Sequence, residues 1–380
     1  MKTIYADHAA TTPTLPEVAA AIADAIAQGY GNPSAAHALG RAGRETLEAA
    51  REETAALLGC HPDELIYTAS GSEADNLAIK GMAAAALAQG RREILVSAME
   101  HPAVRRAADS LSSLGFTVKE IAPREDGIVR SEDIAPAVTD RCALVAVMTA
   151  NNEVGTIQPI REIAEIAHAH GALMLTDAVQ AVGHMGIDFH ALGADLLALS
   201  GHKFGAPAGI GALLVRRGVR LSPLVDGGGQ ERGLRSGTEN IPYAVGMAKA
   251  LSYAAEHRDG LLRVAKMRDR LIDLLLQIPG AQLNGARAPR LPGNANISFS
   301  GVGSDALVFA LDRLGVCASA GAACHSGRLS PSPTLRAMGF SDERATSAVR
   351  FSLSHQNDED DVERIASAVS ASVSKIRSLL

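Results

Sequence analysis

The sequence predicts an α/β fold with a seven-stranded, mostly parallel sheet in a large domain, joined to a smaller α+β domain. Three observations predict it. Between about residues 40 and 220, short apolar runs alternate with helix-period segments, the pattern of strands linked by crossover helices. Two of those runs end in Asp177 and Lys203, and open sheets of this kind place ligands beyond the carboxyl ends of their strands. After Tyr243 the alternation gives way to a long amphipathic stretch and then to mixed strands and helices.

Taken in order, strands are expected at 64–68, 93–97, 117–121, 143–148, 172–176, 195–199 and 211–215. Each is a short apolar run bounded by polar or glycine-containing turns. Helices are expected at 41–58, 72–89, 102–114 and 160–170. The segment 257–278 carries Leu261, Leu262, Met267, Leu271, Leu274, Leu275 and Ile278 as one apolar stripe. It leads to a strand at 294–300, a helix at 305–314, a strand around Cys317, a strand at 350–354 and a helix at 359–379. The expected division is 15–255 for the large domain, and 1–14 with 256–380 for the small one.

Composition narrows the function. The 380 residues are 47% hydrophobic and 21% charged, with a net charge of −6 and no block of like charge. Such a surface does not favour nucleic acid or an anionic membrane as partner. Aromatics make up 3% and tryptophan is absent, so no base-stacking platform is expected. The first residues run straight into Tyr5-Ala6-Asp7-His8 without a charged-then-apolar leader, and no apolar run approaches a membrane span. A cytoplasmic location is therefore expected. Cys60, Cys142, Cys317 and Cys324 form no Cys-x-x-Cys pair. Neither a disulfide framework nor a zinc site is expected, and no metal is assigned. Cys142, Cys317 and Cys60 are read as core.

The chemistry centres on Ser200-Gly201-His202-Lys203, which follows Leu196-Leu197-Ala198-Leu199, and on Asp177, which follows Leu173-Met174-Leu175-Thr176. An amine and an acid delivered to one sheet edge suit pyridoxal 5'-phosphate. The lysine forms a Schiff base with its aldehyde, and the carboxylate keeps the pyridine nitrogen protonated. Gly71 and Ser72 open a helix after a strand, where backbone N–H groups and the helix dipole favour a phosphate. His101 follows a strand and is placed to stack on a flat ring or move a proton. Asn151-Asn152 and Gln180 can reach ring substituents. The glycine-rich segment from Gly227 to Asn240 suits anion contacts in this subunit or a neighbouring one. Cys324 stands in a small-residue loop beside His325, an accessible setting for a reactive thiol. Arg350, at the start of a strand, suits capture of a carboxylate.

With these motifs in hand, the chain resembles the NifS/IscS-like cysteine desulfurases, fold-type I pyridoxal-phosphate enzymes of the class V aminotransferase superfamily. The likeness runs nearly end to end through Tyr5–Pro13, Gly31-Asn32-Pro33-Ser34, Asn76–Gly81, Glu100-His101, Asn151–Gly155, Asp177-Ala178-Val179-Gln180, Ser200–Lys203, the Gly227–Asn240 segment, Cys324 and Arg350–Leu353. The resemblance implies that Lys203 carries the cofactor, Asp177 pairs with its ring nitrogen and His101 stacks on the ring. Asn152 and Gln180 would contact ring substituents. Gly71, Ser72, Ser200 and His202 would hold the phosphate, with Thr238 from the partner subunit of a homodimer. Arg350 and Asn32 would bind the substrate carboxylate, and Cys324 would be the nucleophile that takes sulfur from L-cysteine and passes it to an acceptor protein or thiol. Two departures stand out. Gly71-Ser72 replaces the usual Ala-Thr and keeps a hydroxyl. Ala322-Ala323-Cys324-His325-Ser326 is similar to the loop of animal selenocysteine lyases, so release of selenium from L-selenocysteine is the second activity implied. A scaffold without catalysis is a third reading, opposed by the intact Lys203, Asp177, His101 and Cys324.

Overall fold

The computed structural model describes residues 3–28, 31–320 and 330–379. Cys324 and its neighbours from 321 to 329 lie outside the described residues. In chain order the strands are β1 (Ile4–Tyr5), β2 (Leu65–Thr68), β3 (Glu93–Ser97), β4 (Thr117–Ile121), β5 (Cys142–Ala146), β6 (Leu173–Asp177), β7 (Leu196–Ser200), β8 (Gly211–Val215), β9 (Ala281–Leu283), β10 (Asn294–Phe299), β11 (Val316–Cys317), β12 (Ser319–Ala320) and β13 (Ala348–Ser352).

Seven strands form the central sheet in the order β2-β8-β7-β6-β5-β3-β4. Only β8 runs against its neighbours, pairing antiparallel with both β2 and β7. Every residue of β2, β3, β5, β7 and β8 is buried. That explains their continuous apolar runs, since a sheet covered on both faces has no solvent side to alternate with. Side chains still alternate between faces. Leu197, Leu199 and Leu214 enter one core, whereas Leu196, Ala198 and Leu213 enter the opposite one.

A second body is built on the sheet β12-β13-β10-β9, all antiparallel. Its core gathers Leu271, Ile297, Phe299, Phe351 and Val369. The N-terminal segment joins the two bodies. Its β1 pairs with β11, and the Ala6 carbonyl and Ser352 N–H bond at 2.7 Å. Then Thr12 donates its N–H to the His202 carbonyl at 2.8 Å and its hydroxyl to the Lys203 carbonyl at 2.9 Å. The chain thus sews the small sheet to the turn that carries Lys203.

Several boundaries differ from expectation. The helix expected over 72–89 is two helices, Gly71–Gly81 and Ala83–Ala88. Gly81 lies against the Ser222 carbonyl, 2.8 Å from where a Cβ would sit, so the chain is pinned there. The stretch 257–278 holds a helix only over Gly260–Leu275, after a turn. Helices Pro16–Gln28 and Ile241–Glu256 were not expected, because both are alanine-rich without a strong stripe. The second begins with an Asn240 cap and Pro242 in its first turn, a start signal visible in the sequence. Cys142 is buried, but Cys317 and Cys60 are only half-buried. Cys317 lies in a two-residue strand paired with β1 alone, too small an element to cover it.

Candidate active site

Strand ends and helix starts converge on a cavity of about 370 Å³, within the range of small-ligand sites. Lys203, Asp177, His101, Asn152, Gln180, Gly71, Ser72, Ser200, His202 and Arg350 all line it. Asn32 and Thr238 do not. Asn32 instead closes its own turn, its side-chain oxygen accepting from the Ser34 N–H at 2.9 Å, and Thr238 is exposed on the loop before the Ile241–Glu256 helix.

Asp177 is the last residue of β6 and is 5% exposed. Its Oδ1 accepts from the Val179 N–H at 2.8 Å. Burial pushes its carboxyl up, while that hydrogen bond, His101 and Lys203 pull it back toward ionisation. Lys203 follows β7 through a short 3₁₀ turn. Its Nζ donates to the carbonyls of Ala9 (2.9 Å) and Ala10 (2.7 Å). Burial first, and then Arg350, bring its amine down to about 8, against the opposing pull of Asp177 and Asp7. A lysine so lowered offers a neutral, nucleophilic amine near neutral pH.

His101 caps the Pro102–Ser110 helix, its Nδ1 accepting from the Ala103 N–H at 3.2 Å. That acceptor role puts the ring proton on Nε2. Burial lowers its pKa, with Lys203 adding and Asp177 opposing, so the neutral ring prevails. His202, its Nδ1 3.1 Å from the Thr11 hydroxyl, is lowered to about 4 by burial and by Lys203.

The Gly71–Gly81 helix aims its N-terminus at the cavity. Ser70 caps it, accepting from the Glu73 N–H at 3.1 Å. Gly71 and Ser72 are the next two donors of a first turn that has no intrahelical partners. A Cβ on Gly71 would stand 2.6 Å from Val179 and 3.3 Å from Ser200, so only glycine keeps this cradle open.

Arg350, on β13 and 8% exposed, donates to Asp7 at 2.7 Å and to the Asn152 carbonyl at 2.9 Å. Its Nε is buried and has no partner among the described residues. Asp7, the Ala9 and Ala10 carbonyls, Asp75 and Met148 are site residues that sequence reasoning missed. Asp7, Ala9 and Ala10 belong to a motif that is visible in the sequence, but backbone carbonyls leave no trace in residue type. Asp75 is 1% exposed with Oδ1 unpartnered, and burial, Asp177 and Glu100 hold it well above the usual carboxylate range.

The aminotransferase class-V family model matches residues 4–365. The chain belongs to the class-V aminotransferase family. Over 379 residues this family member is 41% identical to the cysteine desulfurase IscS of Methanosarcina thermophila, covering 100% of this chain and 94% of that one. It is 42% identical over 382 residues to a cysteine desulfurase of Cereibacter sphaeroides, covering 100% and 98%. A solved NifS-like protein superposes with a TM-score of 0.91 at 33% identity, covering both chains fully. Class-V aminotransferases depend on pyridoxal phosphate, and the residues here fit it. The glycine-floored helix start suits its phosphate, Asp177 its ring nitrogen and Lys203 its aldehyde carbon.

Proposed function

We propose that this chain is a pyridoxal-phosphate-dependent cysteine desulfurase, converting L-cysteine to L-alanine and handing the sulfur to an acceptor. The observation that carries this reading is one cavity lined by Lys203 after β7, the buried Asp177 carboxylate at the end of neighbouring β6, and Arg350 of β13. Its full-length likeness to cysteine desulfurases supports the same reaction. When bound, pyridoxal phosphate supplies an electron sink that weakens the bonds at Cα and then at Cβ of the substrate.

The chain's residues do the rest. Lys203 Nζ anchors the cofactor and, once released, takes the Cα proton. Asp177 would hold the ring nitrogen's proton, and His101 would stack on the ring with its Nε2–H available. Gly71, Ser72, Ser200 and His202 would hold the phosphate, while Asn152 and Gln180 would contact ring substituents. Arg350, pre-set by Asp7, receives the substrate carboxylate through Nε and its neighbouring N–H groups. The Cys324 thiolate attacks the substrate sulfur. The S–Cβ bond breaks with its electron pair going to carbon, a persulfide forms on Cys324, and protonated carbon leaves as alanine.

Glu153 links two described segments. Its carboxylate accepts from the Ser332 hydroxyl at 2.5 Å and the Thr334 hydroxyl at 2.8 Å, tying the segment just after 321–329 to the loop that carries Asn152. We also read 15–255 as the large domain and 1–14 with 256–380 as the small one; Leu271, Ile297, Phe351 and Val369 form a core of their own, while Met99, Met148 and Val154 cluster with Leu335, Met338 and Ala345 across the division. The proposed assembly is a homodimer that brings Thr238 to its partner's phosphate. Exposed Leu224 and Val225 and the buried, unpartnered Glu239 Oε2 beside this loop favour it. No helix among the described residues is long and apolar enough to cross a membrane, and a cytoplasmic location is the corresponding proposal.

The test is Lys203→Ala. Purified wild type should be yellow, and borohydride should fix a pyridoxyl group on the Lys203 peptide. The variant should lose that adduct and lower alanine release from L-cysteine by about 10²–10⁴-fold or more. A colourless wild type after cofactor addition, or an adduct on another lysine, would remove the proposal.

A further inference from the structure

Away from the cavity, at the turn between the Ala38–Leu58 helix and β2, three ligand-type side chains meet. They are His61, Glu64 and His190, whose ligand atoms all lie within 4.8 Å of one another. Nothing in the desulfurase reaction uses them. We propose that they form a binding site for a divalent ion of the zinc type, with water as the fourth ligand.

The chemistry favours such an ion. Two imidazoles and one carboxylate make a nitrogen-rich, borderline donor set, suited to zinc and unsuited to calcium or magnesium. Glu64 is 2% exposed. Its Oε2 accepts from the His61 N–H at 2.9 Å and lies 2.8 Å from His190 Nε2, and its Oε1 accepts from the Arg217 N–H at 3.1 Å. Its two backbone donors fix its orientation as outer-shell partners do in metal sites.

The two imidazoles are solvent-exposed, with ring centroids 5.2 Å apart. Bonds of about 2.0–2.2 Å put tetrahedral ligand atoms roughly 3.4 Å apart. The cluster therefore closes by small rotations of the two exposed rings around a fixed carboxylate. The ion would take the place of the hydrogen between His190 Nε2 and Glu64, the ring keeping its proton on Nδ1 as a neutral ligand. Asp63 is paired with Arg217 at 2.7 Å, and Asp188 caps the Phe189–Leu192 helix, so neither competes as a ligand. The ion would clamp that helix to the turn from which β2 runs to the Ser70 phosphate cap.

The experiment titrates zinc against a chromophoric chelator, using tag-free, cofactor-loaded protein. A Cys324→Ala background removes the reactive thiol as a competing ligand. One zinc per chain is expected. His61→Ala and His190→Ala should each weaken it at least about tenfold, since even outer-shell losses cost about 10–100-fold, while Cys60→Ser leaves it unchanged. One equivalent of zinc should raise the thermal midpoint of the parent but not of His61→Ala. Retained cofactor absorbance shows that each variant is folded. No zinc binding by the Cys324→Ala parent, or undiminished binding in either histidine variant, would overturn the proposal.

Discussion

Asp177 and Asp7 are both carboxylates beside a basic residue of one cavity, yet their surroundings differ. Asp177, on the central-sheet wall, is desolvated, held by one backbone N–H, and neighboured by two further buried acids, Asp75 and Glu100. Asp7, on the N-terminal segment, has a side chain 21% exposed and is paired at 2.7 Å with Arg350. Asp177, Asp75 and Glu100 make no ion pair at contact distance among the described residues, so their protonation answers to what binds. The wall built by β13 and the N-terminal segment pairs Arg350 with Asp7 in advance, so its work is orientation. Desolvated groups matter to chemistry and pre-paired ones to binding, which makes the contrast breakable.

The largest effect should come from Asp177→Asn. Removing the charge placed for the ring nitrogen should lower the rate of alanine formation by about 10²–10³-fold, the cost of losing one preorganised electrostatic group, with KM for L-cysteine little changed. A variant whose KM rises while its rate holds would erase the distinction between the walls. Arg350→Ala should do the reverse, raising KM by about 10–100-fold, as charge-assisted hydrogen bonds of about 1.5–3 kcal/mol imply. Asp7→Asn leaves Arg350 its bond to the Asn152 carbonyl, so KM should rise only about two- to tenfold, in keeping with a partly exposed pair.

The smallest effect is a shift in pH. Apo-protein captures its cofactor through neutral Lys203 Nζ, so the capture rate should rise with pH and level off above about 8, well below where an ordinary lysine would. Asp177 raises that amine's pKa. Asp177→Asn should therefore move the midpoint lower still. Stopped-flow absorbance across the pH range reads both, and a midpoint near 10.5 would contradict the burial of this amine.

Much of this site is legible in the sequence because strand ends announce it. Apolar runs that stop at Asp177 and before Lys203 mark where a buried parallel sheet meets solvent, and Gly71 marks a cradle that no side chain could share. What the sequence hides is long-range or made of backbone. The Ala9 and Ala10 carbonyls that hold Lys203 look like any alanines. His190 meets Glu64 only because β6, the Phe189–Leu192 helix and β2 are brought together by the fold. The Gly227–Asn240 segment reads as flexible, yet Glu231 inside it is buried against Arg51 at 2.8 Å and the Tyr67 N–H at 2.9 Å. Glu231 and Arg232 adopt positive φ values of 46° and 57° to reach that position, a conformation residue type does not foretell.

The division of labour between Lys203 and Cys324 is tested most directly by one turnover with sulfur-labelled L-cysteine, followed by peptide mapping under non-reducing conditions. The account predicts one alanine per cofactor and the label on the Cys324 peptide as a persulfide, with Cys324→Ala keeping its yellow cofactor but forming almost no alanine. Label on another cysteine, or undiminished alanine formation by Cys324→Ala, would contradict it.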